Sequence, residues 1–486
     1  MNTPIRRLSV LIAALFITLL VAATVVQVTQ AKSLNAMASN KRTLLDNYAR
    51  ERGSIIVGGQ AIAKSVSVED QYRFLRTYPQ DKLYAQMTGF YSYAVGAPYG
   101  LEHAADDLLS GDADTLFVRR VTDLITGRKT SGATIELTID PKAQAAADKA
   151  LGDSKGAVVA LDPKTGAILA MVSHPSYDPN PLSSHDLSKA SKAWQVLSND
   201  KDKAYLNRTI NGVYPPGSTF KVVTAAAALE NGVVSDENST VPGPASLDLP
   251  LTSTNLPNED GRACGPNNET TLIHALEISC NTTFGSLGLD LGGEKLRAQA
   301  AKFGFGDALQ IPMRVSVSSV PADLNAPQAA QAAIGQYDVR ATPLQMAMVA
   351  AGIGNKGSVM TPYLIQSVRS ANLDIIESAP DPVELSQAVS EQTASTLTKM
   401  MVSVVDNGSG ARARIPGVDV AGKTGTAQHD PGKPPHAWFI SFAPAVNPKV
   451  AVAVVVEDGG VTGSEVGGGR VAAPIARAVM EAVLSR

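Results

Sequence analysis

Three short clusters of hydroxyl, amine and amide side chains stand in order along this chain of 486 residues. They are Pro215-Pro216-Gly217-Ser218-Thr219-Phe220-Lys221, then Ser279-Cys280-Asn281, then Lys423-Thr424-Gly425. A serine hydroxyl is a poor nucleophile at neutral pH and needs a base within hydrogen-bond reach. If Ser218 opens a helix, Lys221 lies one turn further along the same face. The run Val222-Val223-Thr224, followed by alanines from Ala225 to Ala228, predicts that helix and predicts it buried. Pro216 and Gly217 suit the turn entering it. A lysine in so apolar a place has its pKa lowered and can act as the base. The helix N-terminus would also favour negative charge on an attacked carbonyl.

Each triplet alone is weak, as chance matches show. Ser198-Asn199-Asp200-Lys201 repeats the Ser-x-x-Lys spacing in a charged stretch with no apolar run behind it, and reads as a solvated loop. Ser253-Thr254-Asn255 and Ser370-Ala371-Asn372 repeat Ser-x-Asn without the helix, Thr271 to Ile278, that is expected before Ser279. A second Lys-Thr-Gly, Lys164-Thr165-Gly166, falls between the strand-like runs Gly156 to Leu161 and Ala167 to Val172, so Asp162 to Gly166 reads as a hairpin turn. Gly417 to Thr424 also satisfies the phosphate-binding-loop pattern. That motif requires a strand before it and a helix after it, and neither is predicted here. Lys423 has a different context: Thr426-Ala427-Gln428, a proline-rich loop, then Ala437 to Phe442. This reads as an edge strand, a loop and a return strand. An edge strand can pair with an extended peptide, and Lys423 with the Thr424 and Thr426 hydroxyls would face a carboxylate.

The ordered set resembles the Ser-x-x-Lys, Ser-x-Asn and Lys-Thr-Gly motifs of penicillin-binding proteins and serine β-lactamases. Gly156 to Asp162 and Met171 to Asn180 look like the opening of a penicillin-binding transpeptidase domain, and Ile135 to Leu151 like its lead-in. Upstream, Arg52-Gly53-Ser54-Ile55, Gly100-Leu101-Glu102 and Leu109-Ser110-Gly111 are similar to class B penicillin-binding proteins. The resemblance covers nearly the whole chain and is nearest to the actinobacterial penicillin-binding protein A type. It implies an α+β fold in which an antiparallel sheet packs with helices beside a helical subdomain. A smaller α+β module and one transmembrane helix would precede it. It also implies the roles. Ser218 would be the nucleophile and Lys221 its general base. Ser279 would relay a proton to the leaving amine, and Asn281 would hold the substrate peptide. Lys423, Thr424, Gly425 and Thr426 would bind the terminal carboxylate of D-Ala-D-Ala. Backbone N–H groups of Ser218 and Thr426 would form the oxyanion hole. The implied reaction is a cofactor-free, metal-free cross-linking of peptidoglycan stem peptides during growth and division, blocked by β-lactams. Hydrolytic relatives and an acylated sensor are the rivals. No glutamate falls in the setting of the β-lactamase deacylating base, and only a few residues precede the anchor. Two departures stand out: Cys280 at the middle of Ser-x-Asn, and a short segment after Arg52-Gly53.

Leu8 to Val26 is apolar and uncharged, about 28 Å long as a helix and enough for one bilayer core. It reads as an uncleaved anchor rather than a signal peptide, with Arg6 and Arg7 keeping the N-terminus cytoplasmic. Module boundaries are expected near residues 33 and 150. They divide an anchor segment (1–32), a pedestal or dimerisation module (33–150) and the catalytic domain (151–486). The middle module reads as a spacer or as a docking surface, and the resemblance allows a polytopic glycan-polymerising partner for it. A net charge of −3 gives no electrostatic case for nucleic acid. The six histidines show no metal-ligand spacing, and His429 and His436, flanking the loop after Lys423, read as solvated. Cys264 and Cys280 are the only cysteines. In an exported chain they are expected to pair and tether the Ser279 loop, with two free thiols as the other reading. The C-terminal region predicts a strand from Val450 to Val456, a turn at Gly467-Gly468-Gly469, and a helix near Ala472 to Leu484 on the sheet that carries Lys423.

Overall fold

The computed structural model of the chain describes residues 3–30, 48–116, 131–370, 374–429, 432–462 and 467–485. The boundary expected near residue 33 lies outside them, as do Ala371 and Asn372 of one chance match.

A helix from Thr3 to Val25 extends to Gln30, with mean hydropathy 2.7 and every side chain exposed. The Ser9, Thr18 and Thr24 hydroxyls donate to the carbonyls of Ile5, Ala14 and Leu20 at 2.8–2.9 Å. These three hydroxyls are thus satisfied within the helix, as a hydrocarbon environment requires. It is long and apolar enough to cross a membrane.

The larger part of the chain is built on a five-stranded antiparallel sheet in the order Ala421–Ala427, His436–Ala443, Val450–Val456, Gly156–Leu161, Ile168–His174. The Val450–Val456 strand is apolar at every position because both faces are covered. Val450, Val452, Val454 and Val456 pack against the C-terminal helix, and Ala451, Ala453 and Val455 pack into the opposite core. The last helix runs Gly468–Leu484, so the expected glycine turn is helical from Gly468 onward. A Cβ at Gly468 would lie 2.0 Å from the Trp438 carbonyl oxygen. Glycine therefore lets the helix begin directly on the strand beside Lys423. The Lys164-Thr165-Gly166 sequence is the hairpin turn, with the Asp162 carboxylate accepting from the Lys164 N–H at 2.9 Å.

Opposite the C-terminal helix, the Lys221–Glu230 helix lies buried, with Ala225 to Ala228 at 0% exposure. Methyl-sized side chains bring its neighbours close. The Thr224 hydroxyl donates to the Ala333 carbonyl at 2.7 Å, fastening it to the Ala326–Ala333 helix. Helices Leu272–Glu277 and Asn281–Lys302 complete the helical layer.

The smaller module carries a six-stranded sheet ordered Ile375–Ser378, Ile365–Arg369, Thr134–Leu137, Ile55–Val57, Gln60–Ser67, Phe74–Thr77. Two of its strands come from beyond residue 360, so the sheet crosses the boundary expected near 150. Beneath it, Glu102 is fully buried between two guanidinium groups, with Arg52 Nε and Arg76 Nε each 2.6 Å from its carboxylate. Burial alone would push this carboxyl up; Arg76 and Arg52 outweigh it and hold it below the ordinary value. Asn180 joins the halves by accepting from the Tyr78 N–H at 2.9 Å and donating to the Tyr78 carbonyl at 3.1 Å.

Candidate active site

Ser218 lies on a tight 3-10 turn, Gly217–Phe220, that runs straight into the Lys221 helix. Gly217 has φ +52, a left-handed value that glycine adopts without strain, and a Cβ there would approach the Thr426 carbonyl oxygen to 2.8 Å. The serine turn is thereby pressed against the Lys423 strand. Trp438 fixes it further, its indole N–H donating to the Pro215 carbonyl at 3.0 Å.

Lys221 and Lys423 are both fully buried, and both reach Ser279. The Lys221 ammonium nitrogen lies 3.2 Å from Ser279 Oγ, 2.6 Å from the Ser279 carbonyl and 2.7 Å from Asn281 Oδ1. Lys423 Nζ donates to Ser279 Oγ at 2.9 Å and to the Thr424 carbonyl at 2.9 Å. No carboxylate pairs with either lysine among the described residues, so burial penalises their charged forms. Burial pushes Lys423 down to about 7. Burial, and then repulsion from Lys423, holds Lys221 well below the ordinary lysine range.

Ser279 itself has φ +62, uncommon for a residue with a side chain. The loop around it is held by two devices. Cys280 is bonded to Cys264, so the bridge expected from sequence is present. Cys280 also occupies the N-cap of the Asn281–Lys302 helix, where a sulfur in a disulfide cannot cap. Asn258 does so from a distance: its Oδ1 accepts from the N–H groups of Asn281 and Thr282 at 2.9 and 3.0 Å. Its amide nitrogen donates to the carbonyls of Pro244 and Arg262 at 2.9 and 2.7 Å. Sequence reading missed Asn258, since no pattern marks a cap supplied by a remote loop.

The Ala421–Ala427 strand is the sheet edge, and Gly425 faces Trp438 on the neighbouring strand. A strand, not a helix, continues past Thr424, which excludes a phosphate-binding loop. Two cavities of about 470 and 460 Å³ open over the site and share Ser218, Glu259 and Thr426. The first is also lined by Thr424, Ser409, Arg412 and Arg470. The Ser409 and Thr424 hydroxyls are 2.7 Å apart. Asn281 and Gln428 line the second. Glu259, Ser409, Arg412 and Arg470 lie outside every triplet, and only the fold brings them in. The expected site residues Ser218, Lys221, Ser279, Asn281, Lys423, Thr424, Gly425 and Thr426 thus converge on one cleft. The chance matches Ser198 to Lys201 and Ser253 to Asn255 end on exposed residues.

The reading of His429 and His436 as solvated is corrected. Their rings stack at 3.9 Å with 7° between planes, His436 is buried, and Tyr214 meets His436 edge-on. Asp458 joins them, its carboxylate 2.9 Å from His429 Nε2 and its N–H donating to His436 Nδ1 at 3.1 Å. These three residues bring donor atoms within 4.8 Å of one another. His436 Nδ1 already accepts from the Asp458 N–H. The group is a clasp closing the loop between the edge strand and its return strand, for which turn chemistry in the sequence gives no signal.

The penicillin binding protein transpeptidase domain matches residues 156–481, and the penicillin binding protein A dimerisation domain matches residues 52–135. Over 493 aligned positions the chain is 46% identical to the peptidoglycan D,D-transpeptidase PbpA of Mycolicibacterium smegmatis, covering 100% of this chain and 99% of that one. The Mycobacterium tuberculosis protein of the same name is 44% identical over the same span. The ceftriaxone acyl-enzyme of penicillin-binding protein A from M. tuberculosis superposes with a TM-score of 0.87 at 43% identity, covering 90% of this chain and 100% of that one. With its three motifs gathered around one serine, the chain belongs to the penicillin-binding protein transpeptidase family.

Proposed function

We propose that Ser218 is the nucleophile of this D,D-transpeptidase and that Lys221, Ser279 and Lys423 move and balance its protons. The enzyme cross-links peptidoglycan stem peptides through a serine acyl-enzyme, and β-lactams acylate the same serine. The observation that carries the division of roles is the pair of buried lysines converging on one hydroxyl, Ser279 Oγ. A lysine held well below its ordinary pKa is neutral often enough to accept the Ser218 proton as Oγ attacks the penultimate D-Ala carbonyl. Ser279, bonded to both lysines, then passes a proton to the departing D-Ala amine. The Ser218 and Thr426 N–H groups hold the oxyanion. Asn281 holds the donor peptide. Lys423, Thr424, Gly425 and Thr426 receive the terminal carboxylate on the sheet edge, where an extended substrate adds as a further strand.

The apolar helix anchors the chain once in the membrane. Arg6 and Arg7 before it place the N-terminus on the cytoplasmic side and the active site outside; the Cys264–Cys280 bridge favours the same side. The smaller module would serve as pedestal and docking surface for a polytopic glycan-polymerising protein, which co-purification of the full chain from its own membranes would test.

The direct test supplies a peptide ending in D-Ala-D-Ala together with an amine acceptor. Released D-Ala and a donor–acceptor peptide are expected, both lost in Lys221→Ala. Release of D-Ala with only the shortened donor, at every acceptor concentration, would make the enzyme a carboxypeptidase.

A further inference from the structure

Among the described residues Glu259 is the only carboxylate lining either cavity, and it lines both, at the junction they share with Ser218. The two cavities differ in charge. The first carries Arg412 and Arg470 beside Thr424, which suits a carboxylate. Among the described residues the second is lined by no lysine or arginine. Glu259 is exposed, yet its loop is anchored on both sides: by the four hydrogen bonds of buried Asn258 immediately before it, and by the Cys264–Cys280 bridge after it. Its charge is felt by both buried lysines. A carboxylate held at the meeting point of the two cavities, beside Ser218, is placed to pair with a cation.

We propose that Glu259 binds the ammonium group of the acceptor, a cationic primary amine, and delivers it to the acyl-enzyme on Ser218. This rests on the acyl-enzyme reading above. After D-Ala has left, the acceptor ammonium pairs with Glu259 at the cavity junction. It passes one proton to neutral Lys221 and becomes a free amine. The amine nitrogen bonds to the acyl carbon, the ester bond to Ser218 Oγ breaks, and Ser218 Oγ recovers the amine's second proton through Ser279. Lys221 returns its proton to solvent. Glu259 takes no proton; it raises the local concentration of the nucleophile.

The test measures partition of the acyl-enzyme. The full-length protein is acylated with an N-acyl-D-alanyl thioester and offered either Nα-acetyl-lysine amide, a cationic amine, or hydroxylamine, which is uncharged at neutral pH. Glu259→Gln is expected to raise the KM for the lysine amide about five-fold, the worth of one exposed ion pair. Loss of the Glu259 charge acts through Lys221 on every nucleophile alike, so the ratio of lysine-amide use to hydroxylamine use, and to water-driven loss of the acyl group, should fall about five-fold. Glu259→Asp should recover part of the loss. Added salt should weaken wild-type use of the lysine amide and leave Glu259→Gln insensitive. Equal loss with both nucleophiles, or no loss with either, would overturn the proposal. Slower hydrolysis with unchanged use of amine would also overturn it, making Glu259 a base for water. Failure of the wild type to acylate would instead strike the reading of Ser218, and is seen before any acceptor is added.

Discussion

At the scale of single residues, the proposed chemistry depends on two amines in different protonation states a few ångströms from one hydroxyl. Lys221 must be neutral to accept the Ser218 proton, so acylation rises as pH climbs through its depressed pKa. Lys423 must be charged to receive a carboxylate, so acylation falls as pH climbs through about 7, where burial places this group in the free enzyme. Because the lysines interact through Ser279, the two limbs belong to the pair. Stopped-flow acylation by a chromogenic cephalosporin should give a bell-shaped kcat/KM profile. Lys423→Arg, whose charge persists far into alkali, should flatten the falling limb. A falling limb unchanged in that variant would remove Lys423 from the carboxylate site.

Among the elements, the Ser279 loop is the part whose geometry is least local. A serine with positive φ precedes a helix whose N-cap is tied up in a disulfide, and Asn258 supplies the missing acceptor from a separate segment. Asn258→Ala should cost about 1–3 kcal/mol, since it leaves buried N–H groups unpaired. Denaturant titration measures the loss, and slowed acylation should accompany it. Unchanged stability would mean that water replaces the cap. The same comparison shows what sequence reading can reach. The helix after Ser218, the hairpin at Lys164, the edge strand at Lys423 and the Val450–Val456 strand follow from local periodicity and turn chemistry, and all appear. Asn258, Glu259 and Ser409 act across long sequence separations, and the Asp458 clasp closes only once strands pair. No local pattern encodes them. The glycines after Val466 read as a turn because glycine disfavours helix, yet contact with the Trp438 strand makes the first of the helical ones necessary.

Over the whole molecule, the catalytic half lends two strands to the smaller module's sheet, and that module holds a buried ionic core of its own. Glu102→Gln would leave Arg52 and Arg76 buried against a neutral amide, and should destabilise the chain by about 3–5 kcal/mol. Loss of the smaller module's protection in hydrogen exchange would locate the effect, and protection unchanged throughout would show the network to be dispensable. The central claim remains that one serine carries the acyl group. Intact mass of the full-length protein after incubation with benzylpenicillin tests it most directly. Wild type should gain one lasting equivalent of the drug and Ser218→Ala none; an adduct that survives in Ser218→Ala would contradict the assignment.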